Sequence, residues 1–293
     1  MQDNRTAETI LRQRSKAERF RQLHQRNGQI LVLPNAWDAA SARIFEEAGF
    51  SAIGTTSAGI AFALGFPDGQ IAPREEMLLT VERVTRAVQV PVTADIEAGY
   101  DRNNDNVNEV VQTVAWVIAA GAVGINLEDS VPGEPPSLVD VGLQVERITA
   151  IRDLALSEDI PLVINARTDA FHLTHLDPKE RFALAVARLN TYRSAGADCL
   201  FAPFVSDAAT IGALAGAVEG PLNILAVAGS PSVTELERLG VARVSVGSGP
   251  YRATVAVLRG IATELSDQGT YESFTRKTIP YDELNRLMRH LPH

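Results

Sequence analysis

Two acidic residues stand together at the end of an apolar run in ValProValThrAlaAspIleGluAlaGlyTyr, residues 90–100. The run predicts a buried β-strand, and Gly99 directly after it predicts a turn. Side chains two residues apart in a strand point to the same face, so Asp95 and Glu97 should project together at its carboxyl end. Catalytic groups of α/β proteins are commonly found at this end of the strands.

Polar side chains also lie at the ends of several other apolar runs or, in one case, near the start. They are ThrThrSerAlaGly (55–59), Glu128 with Asp129, Arg167 with Asp169, and Asn223 near the start of its run. Carboxylates that converge on one place repel one another unless a cation lies among them, and oxygen ligands favour Mg²⁺, with Mn²⁺ as the alternative. The pattern therefore predicts a metal site in which one or two carboxylates bind the ion directly.

Other groups in this set could bind an anion. The backbone N–H groups of Ser57, Ala58 and Gly59 could hold one where a helix or turn begins. The planar guanidinium of Arg167 could bind a carboxylate, or it could neutralise a neighbouring strand-end acid as a structural pair. Together, these groups predict a site for a small anionic molecule that is chelated to a metal.

The elements that carry these residues alternate along the chain. Eight apolar runs begin at residues 30, 51, 90, 124, 162, 199, 222 and 242, with helical or mixed segments after them. This alternation predicts a parallel sheet, and eight βα units predict an α/β fold of the (βα)8 TIM-barrel type. An open doubly wound sheet is the alternative, although no GlyXGlyXXGly follows the first strand. We expect one domain over 1–293, with helical extensions at 1–28 and 270–293.

Composition limits the classes of partner. The net charge is -9, which argues against nucleic acid and anionic membranes, because both require a basic surface. Cys199 is the single cysteine, so neither an intrachain disulfide nor a cysteine zinc cluster is expected. The polar N-terminus and the lack of a membrane-length apolar run indicate a cytoplasmic protein. The C-terminal helix could cap the subunit or contact a neighbouring copy.

Seven segments, in order, resemble the isocitrate lyase and phosphoenolpyruvate mutase superfamily. They are residues 35–42, 55–59, 65–69, 94–100, 126–129, 165–169 and 196–198. The resemblance implies an α/β barrel whose last helix is exchanged between subunits, a homotetramer or dimer, and bound Mg²⁺. It also implies a small 2-oxo acid or phosphoenolpyruvate-like substrate, and an enolate that the metal stabilises.

The resemblance further implies roles for individual residues. The metal-site carboxylates are matched by Asp95, Glu97 and Glu128. Asp68, a turn residue by its GlyPheProAspGly pattern, matches an acid that acts through water. The groups that bind the substrate are matched by Ser57, Gly59 and Arg167. Asp95, Glu97 and Arg167 are therefore the candidate catalytic residues, and Ala58 and Asn223 are further candidates for substrate binding.

One segment departs from the family pattern. Lyases of the family carry a catalytic cysteine in the loop after the fourth strand, and mutases carry a lysine and an asparagine there. Here the loop reads SerValProGlyGluProProSerLeuValAsp (130–140), without Cys, Lys, His or Asn. We expect an enzyme that cleaves a C–C or P–C bond, decarboxylates or hydrolyses. The alternatives are a 2-oxo acid binding protein without catalysis, a 2-methylisocitrate-type lyase with an unusual acid, and a purely structural role for the strand-end acids.

Overall fold

The computed structural model describes residues 6–25, 29–101, 105–131, 133 and 135–289. A parallel sheet contains nine strands, numbered with the others in chain order. These are β1 Leu31–Leu33, β2 Asn35–Ala36, β3 Ile53–Thr55, β4 Val92–Asp95, β5 Gly124–Glu128, β8 Val163–Arg167, β9 Cys199–Phe201, β10 Leu222–Leu225 and β11 Arg243–Ser245. A separate antiparallel hairpin consists of β6 Ser130–Val131 and β7 Ser137–Leu138.

The sheet closes into a barrel through its first strand, which is split into β1 and β2. β1 pairs with β11, whereas β2 pairs with β3. Pro34 separates the two short strands, and its carbonyl still accepts a hydrogen bond from the Gly54 N–H at 2.9 Å. β1 and β2 thus act as one interrupted strand, so all eight predicted strands are present and the TIM-type barrel is confirmed.

Helices alternate with the strands and surround the barrel. The helices are α1 Ala7–Leu23, α2 Ala39–Glu47, α3 Ser57–Ala63, α4 Arg74–Ala87, α5 Val107–Ala119, α6 Val141–Ser157, α7 Pro178–Ser194, α8 Ala208–Ala217, α9 Val233–Arg238, α10 Gly249–Asp267, α11 Glu272–Thr275 and α12 Tyr281–Arg289. Asp38 is the N-cap of α2, since its side chain accepts the Ser41 N–H at 2.7 Å.

Two local elements differ from the sequence-based expectation. The run from residue 51 was expected to stay extended to Ser57, but β3 ends at Thr55 and α3 begins at Ser57. Thr56 caps this helix by accepting the Gly59 N–H at 3.2 Å, and such capping outweighs the β-propensity of the run. The predicted loop at 130–140 contains the β6–β7 hairpin.

The N-terminal helix α1 closes the amino-terminal end of the barrel. Phe20 is fully buried, and Gln13 donates to the carbonyls of Ile118 and Ala122 at 2.8 and 2.9 Å. A Cβ on Gly124 would lie 2.8 Å from the Phe20 ring, so glycine at this position allows the ring to enter. Residues 26–28, at the end of the predicted extension, lie outside the described residues.

The C-terminal helices leave the barrel. α10 has no buried residue along its described length, and Val257 and Leu258 are 63% and 62% exposed. α12 returns to the same subunit, where the buried Arg43 of α2 donates to the Leu287 carbonyl at 2.7 Å. α12 therefore contacts α2 within the same chain. In the described part of the chain, no helix is long and apolar enough to span a membrane.

A row of paired residues connects the rim of the barrel to its interior. Glu128 pairs with Arg167, Arg167 with Phe201, Phe201 with Asn223, and Asn223 with Arg243. The row starts at the last residues of β5, β8 and β9 and ends at the first residue of β11. Because barrel strands are tilted and staggered, a row of this kind descends from the carboxyl end toward the amino end. Arg243 therefore lies much deeper than Arg167.

Candidate active site

A cavity of about 220 Å³ lies at the carboxyl ends of the barrel strands. Five of the predicted site residues line it, namely Ser57, Ala58, Asp68, Asp95 and Arg167. Four others, Gly59, Glu97, Glu128 and Asn223, lie outside the lining but contact or neighbour residues that belong to it. The structure thus brings most of the predicted set to one place.

Asp95 is held at the cavity wall by its neighbours. The Ser57 backbone N–H and hydroxyl donate to Oδ2 at 3.0 and 2.7 Å, and Asn126 donates to Oδ1 at 3.1 Å. The Asp95 N–H donates in turn to the Thr55 hydroxyl at 2.9 Å. These bonds fix the carboxylate orientation, but they also use the Ser57 donors that were expected to face an anion.

Gly59 allows a close packing contact behind the wall. Its N–H donates to the Thr56 side chain, so this donor too is used within the protein. A Cβ at position 59 would lie 2.5 Å from the Thr56 Cγ2 atom and 3.3 Å from the Trp37 Cβ. A side chain at Gly59 would therefore displace the start of α3 and, with it, Ser57.

Glu97 connects the loop that follows β4 to the loop that carries Asp68. Its carboxylate accepts the Gln70 N–H at 2.6 Å and the Tyr100 hydroxyl at 3.1 Å, and Gln70 accepts the Tyr100 N–H at 2.6 Å. All three residues have left-handed backbones, with φ of 52° at Glu97 and 60° at Gln70 and Tyr100. Such conformations cost about 1–3 kcal/mol each and cluster at functional sites. The arrangement also fixes the loop that carries Asp68.

Arg167 forms ion pairs with two acids at the rim. Its Nη1 lies 2.6 Å from a Glu128 oxygen, and its Nε and Nη2 donate to Asp169 at 2.6 and 2.8 Å. Burial lowers the pKa of Arg167, but the charges of Asp169 and Glu128 outweigh this effect and hold the pKa above its ordinary value. The expected structural pairing of Arg167 is thus present, while the side chain still lines the cavity.

A further set of hydrogen bonds, centred on Asp129, holds the segment that carries Asp169. Asp129 is completely buried and accepts from Tyr192 at 2.7 Å, Thr168 at 2.8 Å and the Asp169 N–H at 2.9 Å. Arg188 also lies 3.1 Å from it. Asp129 therefore has a positioning role, because it fixes the segment that carries Asp169.

Asn223 lies beside the deeper part of the cavity but is not part of its lining. It is fully buried in the interior of the barrel and donates to the Ser245 hydroxyl at 3.2 Å, while its Oδ1 has no partner among the described residues. Its depth follows from the stagger of β10, which places it in the descending row between Phe201 and Arg243. A substrate at the rim could contact Asn223 only through intervening groups.

Several cavity residues were not singled out from the sequence. They are Asn35, Thr93, Asn126, Phe201, Arg243 and Ser245. Thr93 could have been assigned to the cavity from the sequence, because it lies two residues before Asp95 in the strand and so shares its face. Arg243 also carries a signal, because a charged residue inside the apolar run AlaArgValSerVal requires a polar environment.

Burial and neighbouring charges raise the pKa of three acids around the cavity. Burial, followed by the charges of Asp95 and Asp68, raises the pKa of Glu97 to about 7. Burial and Asp95 likewise raise the pKa of Asp68. Burial raises the pKa of Glu128 as well, against the opposing effect of Arg167. This repulsion between carboxylates is the electrostatic condition that a divalent cation relieves.

The donor set fits a hydrated magnesium ion. Among the described residues, no three acidic, histidine or cysteine side chains converge as a preformed metal cluster. Mg²⁺, however, retains several waters and takes only one or two protein carboxylates directly. Asp95 lines the cavity together with Asp68, and both are oxygen donors. The residues present are therefore compatible with the metal.

The described cavity lining carries few groups that could transfer a proton. Its ionisable side chains are Asp68, Asp95, Arg167 and Arg243. Cys199 is buried, and burial raises the pKa of its thiol to about 11. The His172 ring stacks on the lining residue Phe204 at 4.6 Å but is not itself part of the lining. The wall thus contains oxygen ligands and guanidinium groups.

Comparison with known proteins agrees with this arrangement. The sequence pattern of the family described as phosphoenolpyruvate phosphomutase matches residues 20–266. The chain is 31% identical to 2-methylisocitrate lyase of Escherichia coli (strain K12) over 247 residues, which cover 80% of each protein. It is 31% identical to oxaloacetate decarboxylase of Bradyrhizobium sp. (strain ORS 278) over 267 residues, which cover 87% of this chain and 86% of that protein.

A solved structure shows the same fold. The structure of oxaloacetate acetylhydrolase in complex with the product oxalate superposes with a TM-score of 0.83 and 25% sequence identity. The match covers 94% of both chains. The similarity therefore extends over the barrel and its flanking helices.

Proposed function

Because the chain belongs to the isocitrate lyase and phosphoenolpyruvate mutase superfamily, we propose that it is a Mg²⁺-dependent enzyme that decarboxylates a small 2-oxo dicarboxylate of the oxaloacetate class. The observation that carries this proposal is the composition of the cavity wall. Its described ionisable groups are two aspartates and two arginines, with no cysteine, lysine or histidine. The 130–140 loop supplies none of these three residue types either.

Decarboxylation matches this wall because no base has to start it. The bond between C3 and the leaving carboxylate breaks, CO2 departs, and the electron pair passes to the 2-oxo oxygen as an enolate. Solvent can then protonate C3. Cleavage of a 2-hydroxy acid instead begins with removal of the hydroxyl proton by a positioned base, and phosphonate formation requires a nucleophile.

The residues of the wall have distinct roles in this reaction. A guanidinium has five N–H donors. Nε and Nη2 of Arg167 each donate to Asp169, and Nη1 lies 2.6 Å from a Glu128 oxygen. N–H groups of Nη1 and Nη2 that do not face these acids bind the carboxylate next to the 2-oxo group. The ion pairs fix the plane of the guanidinium, so little side-chain entropy is lost when the substrate binds. Ser57 and Ala58 complete this side of the wall.

The acids hold the cofactor. Asp95 would hold Mg²⁺, and Asp68, Glu97 and Glu128 would contribute through water or as neutralising charge. When bound, the ion supplies positive charge that stabilises the developing enolate oxygen. Mn²⁺ has similar ligand preferences and can replace it. Asn126 and Ser57 keep the Asp95 carboxylate oriented, since both donate to it.

A substrate panel tests the proposal. The protein is incubated with Mg²⁺ and oxaloacetate, 2-methylisocitrate, phosphonopyruvate or phosphoenolpyruvate, and the release of pyruvate or another 2-oxo acid is followed. Reactions without protein are subtracted, because metal ions alone decarboxylate oxaloacetate. The proposal is supported if the protein turns over oxaloacetate faster than the other substrates and if EDTA abolishes this activity. Turnover of 2-methylisocitrate alone would support the lyase alternative.

A second candidate function is binding of a 2-oxo acid without catalysis. It is favoured by the hydrogen bonds that Ser57 and Arg167 already make to protein carboxylates, because these leave fewer donors for a reacting substrate. Titration calorimetry distinguishes the two functions. Tight binding of pyruvate or oxaloacetate with no turnover of the panel would favour the binding protein.

We also propose that the protein is a homo-oligomer, a dimer or tetramer, assembled through α10. A barrel helix normally buries an apolar stripe. On α10 the apolar residues Val257, Leu258 and Leu265 are exposed. A second copy of the chain is the occupant that the superfamily suggests for this face.

A further inference from the structure

A positive charge is buried at the inner end of the cavity. Arg243 lines the cavity and is only 2% exposed. Its Nη1 contacts the Nε2 atom of His24 at 3.4 Å, and its Nε has no partner among the described residues. His24 lies above Phe20, with its Nδ1 atom 2.8 Å from the Phe20 carbonyl. Burial, together with the charge of Arg243, lowers the pKa of His24 to about 3. His24 is therefore neutral and does not balance the guanidinium.

Other buried or half-buried arginines of the protein contact carboxylates. Arg147 lies 2.6 Å from Asp101, and Arg188 lies 3.1 Å from Asp129. Arg167 contacts two acids, as described above. No ion pair of this kind joins Arg243 to an acid in the described part of the chain. An unpaired buried charge costs several kcal/mol, so an anion that arrives with the ligand is the expected partner.

The surroundings of Arg243 also contain unused polar groups. The Thr93 hydroxyl lines the same cavity, is buried, and has no partner among the described residues. The Ser245 hydroxyl accepts from Asn223, so its own proton is available to a ligand. Ser245 lines the cavity two residues along β11 from Arg243, a spacing of about 7 Å in a strand. The cavity thus extends from the rim to a polar floor.

We infer that Arg243, with Thr93 and Ser245, forms a buried anion subsite for the second carboxylate of a dicarboxylate substrate. The descending row places Arg243 at the opposite end of the cavity from Arg167. A four-carbon dicarboxylate can place one carboxylate near each arginine, whereas a monocarboxylate reaches only one of them. The identity of the occupant as substrate rests on the proposed function; the anion subsite itself does not.

A matched pair of unreactive ligands tests the subsite. L-malate and L-lactate are both 2-hydroxy acids and differ by one carboxylate, and neither has a 2-oxo group to support decarboxylation. We expect calorimetry in Mg²⁺ buffer to show malate binding about 10- to 100-fold more tightly than lactate, as for a charge-assisted hydrogen bond. Arg243→Met should abolish this preference and leave lactate affinity within about 3-fold of the wild-type value. Arg243→Lys should retain part of the preference.

Controls distinguish a loss of ligand binding from an effect of the substitution on folding or on net charge. Arg238→Met removes an exposed arginine of α9 and should leave the preference unchanged. The melting temperature of Arg243→Met without ligand should equal or exceed that of the wild type, because the variant removes an unpaired buried charge. If Arg243→Met weakened the binding of malate and of lactate by the same factor, the proposed subsite would be wrong. If Arg243→Met does not fold, a crystal of the wild-type protein soaked with malate shows whether a carboxylate binds at Arg243. A carboxylate within hydrogen-bond distance of Arg243 supports the subsite, and water alone there overturns it.

The two proposals fail independently. A protein that prefers malate through Arg243 but does not decarboxylate oxaloacetate retains the subsite and loses the proposed function. A protein that decarboxylates oxaloacetate, and whose Arg243→Met variant keeps the malate preference, retains the function and loses the subsite.

Discussion

Ser57 donates two hydrogen bonds to the same oxygen of Asp95, from its backbone N–H at 3.0 Å and from its hydroxyl at 2.7 Å. The contact joins the first residue of α3 to the last residue of β4, which are 38 positions apart in the chain. It leaves the other Asp95 oxygen to Asn126 and to the cavity. The position of the carboxylate is therefore set by a neighbouring strand and by a helix that begins at the rim.

Removing the Ser57 hydroxyl should misorient Asp95 without disturbing the fold. Ser57→Ala keeps the backbone bond and loses one hydrogen bond to a charged acceptor. We expect kcat/KM for oxaloacetate to fall by about 10-fold, which corresponds to about 1.4 kcal/mol. Ser157→Ala, at an exposed position of α6, is the matched control and should retain full activity. An unchanged rate in Ser57→Ala would show that this bond does not position the carboxylate.

The ion pairs of Arg167 should contribute strongly to stability. Arg167→Met leaves the carboxylates of Glu128 and Asp169 buried without their cation, which should lower the free energy of unfolding by about 3 kcal/mol. Urea unfolding measures the change. Adding Glu128→Gln to this variant should restore part of the loss, because it removes one of the unpaired charges. Arg238→Met, which breaks an exposed pair, should cost less than about 1 kcal/mol.

The buried His24 predicts a loss of stability in acid. Its pKa is about 3 in the folded protein, against the ordinary value of 6.5. The unfolded chain thus binds the proton more readily, and the stabilising contribution is complete above pH 6.5 and decreases as the pH falls toward 3. The decrease from this residue between pH 6.5 and 5 should be about 2 kcal/mol.

Urea unfolding at several pH values tests this effect. His24→Gln cannot titrate, so its free energy of unfolding should change less between pH 6.5 and 5 than that of the wild type. His175→Gln, at an exposed position, should follow the wild-type curve. Identical pH dependence in the wild type and His24→Gln would contradict the folded-state pKa.

The exposed face of α10 predicts self-association. Light scattering after gel filtration should show a dimer or tetramer for the wild-type protein. Replacing Val257 and Leu258 together by glutamate should shift the protein toward the monomer, because each buried charge would require a partner. Circular dichroism should show unchanged helix content. A monomeric wild-type protein would exclude the interface.

Much of the fold could be predicted from local sequence signals. The alternation of apolar runs and helical periods predicted the eight barrel strands. The split of the first strand at Pro34 and the start of α3 at Ser57 were missed. In both cases a backbone effect, a missing donor or a capping side chain, overrides the hydrophobic pattern.

The depth of the site residues could not be predicted in the same way. Asp95 and Arg167 end their strands, so their place at the rim follows from the sequence. The heights of Asn223 and Arg243 depend on the stagger between neighbouring strands, which closure of the whole barrel determines. The pairing of Arg167 with Glu128 likewise depends on the register between β5 and β8, although a structural pair with a neighbouring strand-end acid is one of the two roles that the sequence predicts for Arg167.

The most direct test of the account is the rate of pyruvate formation from oxaloacetate by the wild-type protein and by Asp95→Ala, at equal concentration and with saturating Mg²⁺. Asp153→Asn, an exposed change on α6, is the control for altered charge. We expect the wild-type rate to be well above that of the protein-free reaction and to be lost in EDTA, and we expect the rate of Asp95→Ala to be at least about 100-fold lower. A wild-type rate equal to the protein-free reaction, or equal rates in the wild type and Asp95→Ala, would contradict the account.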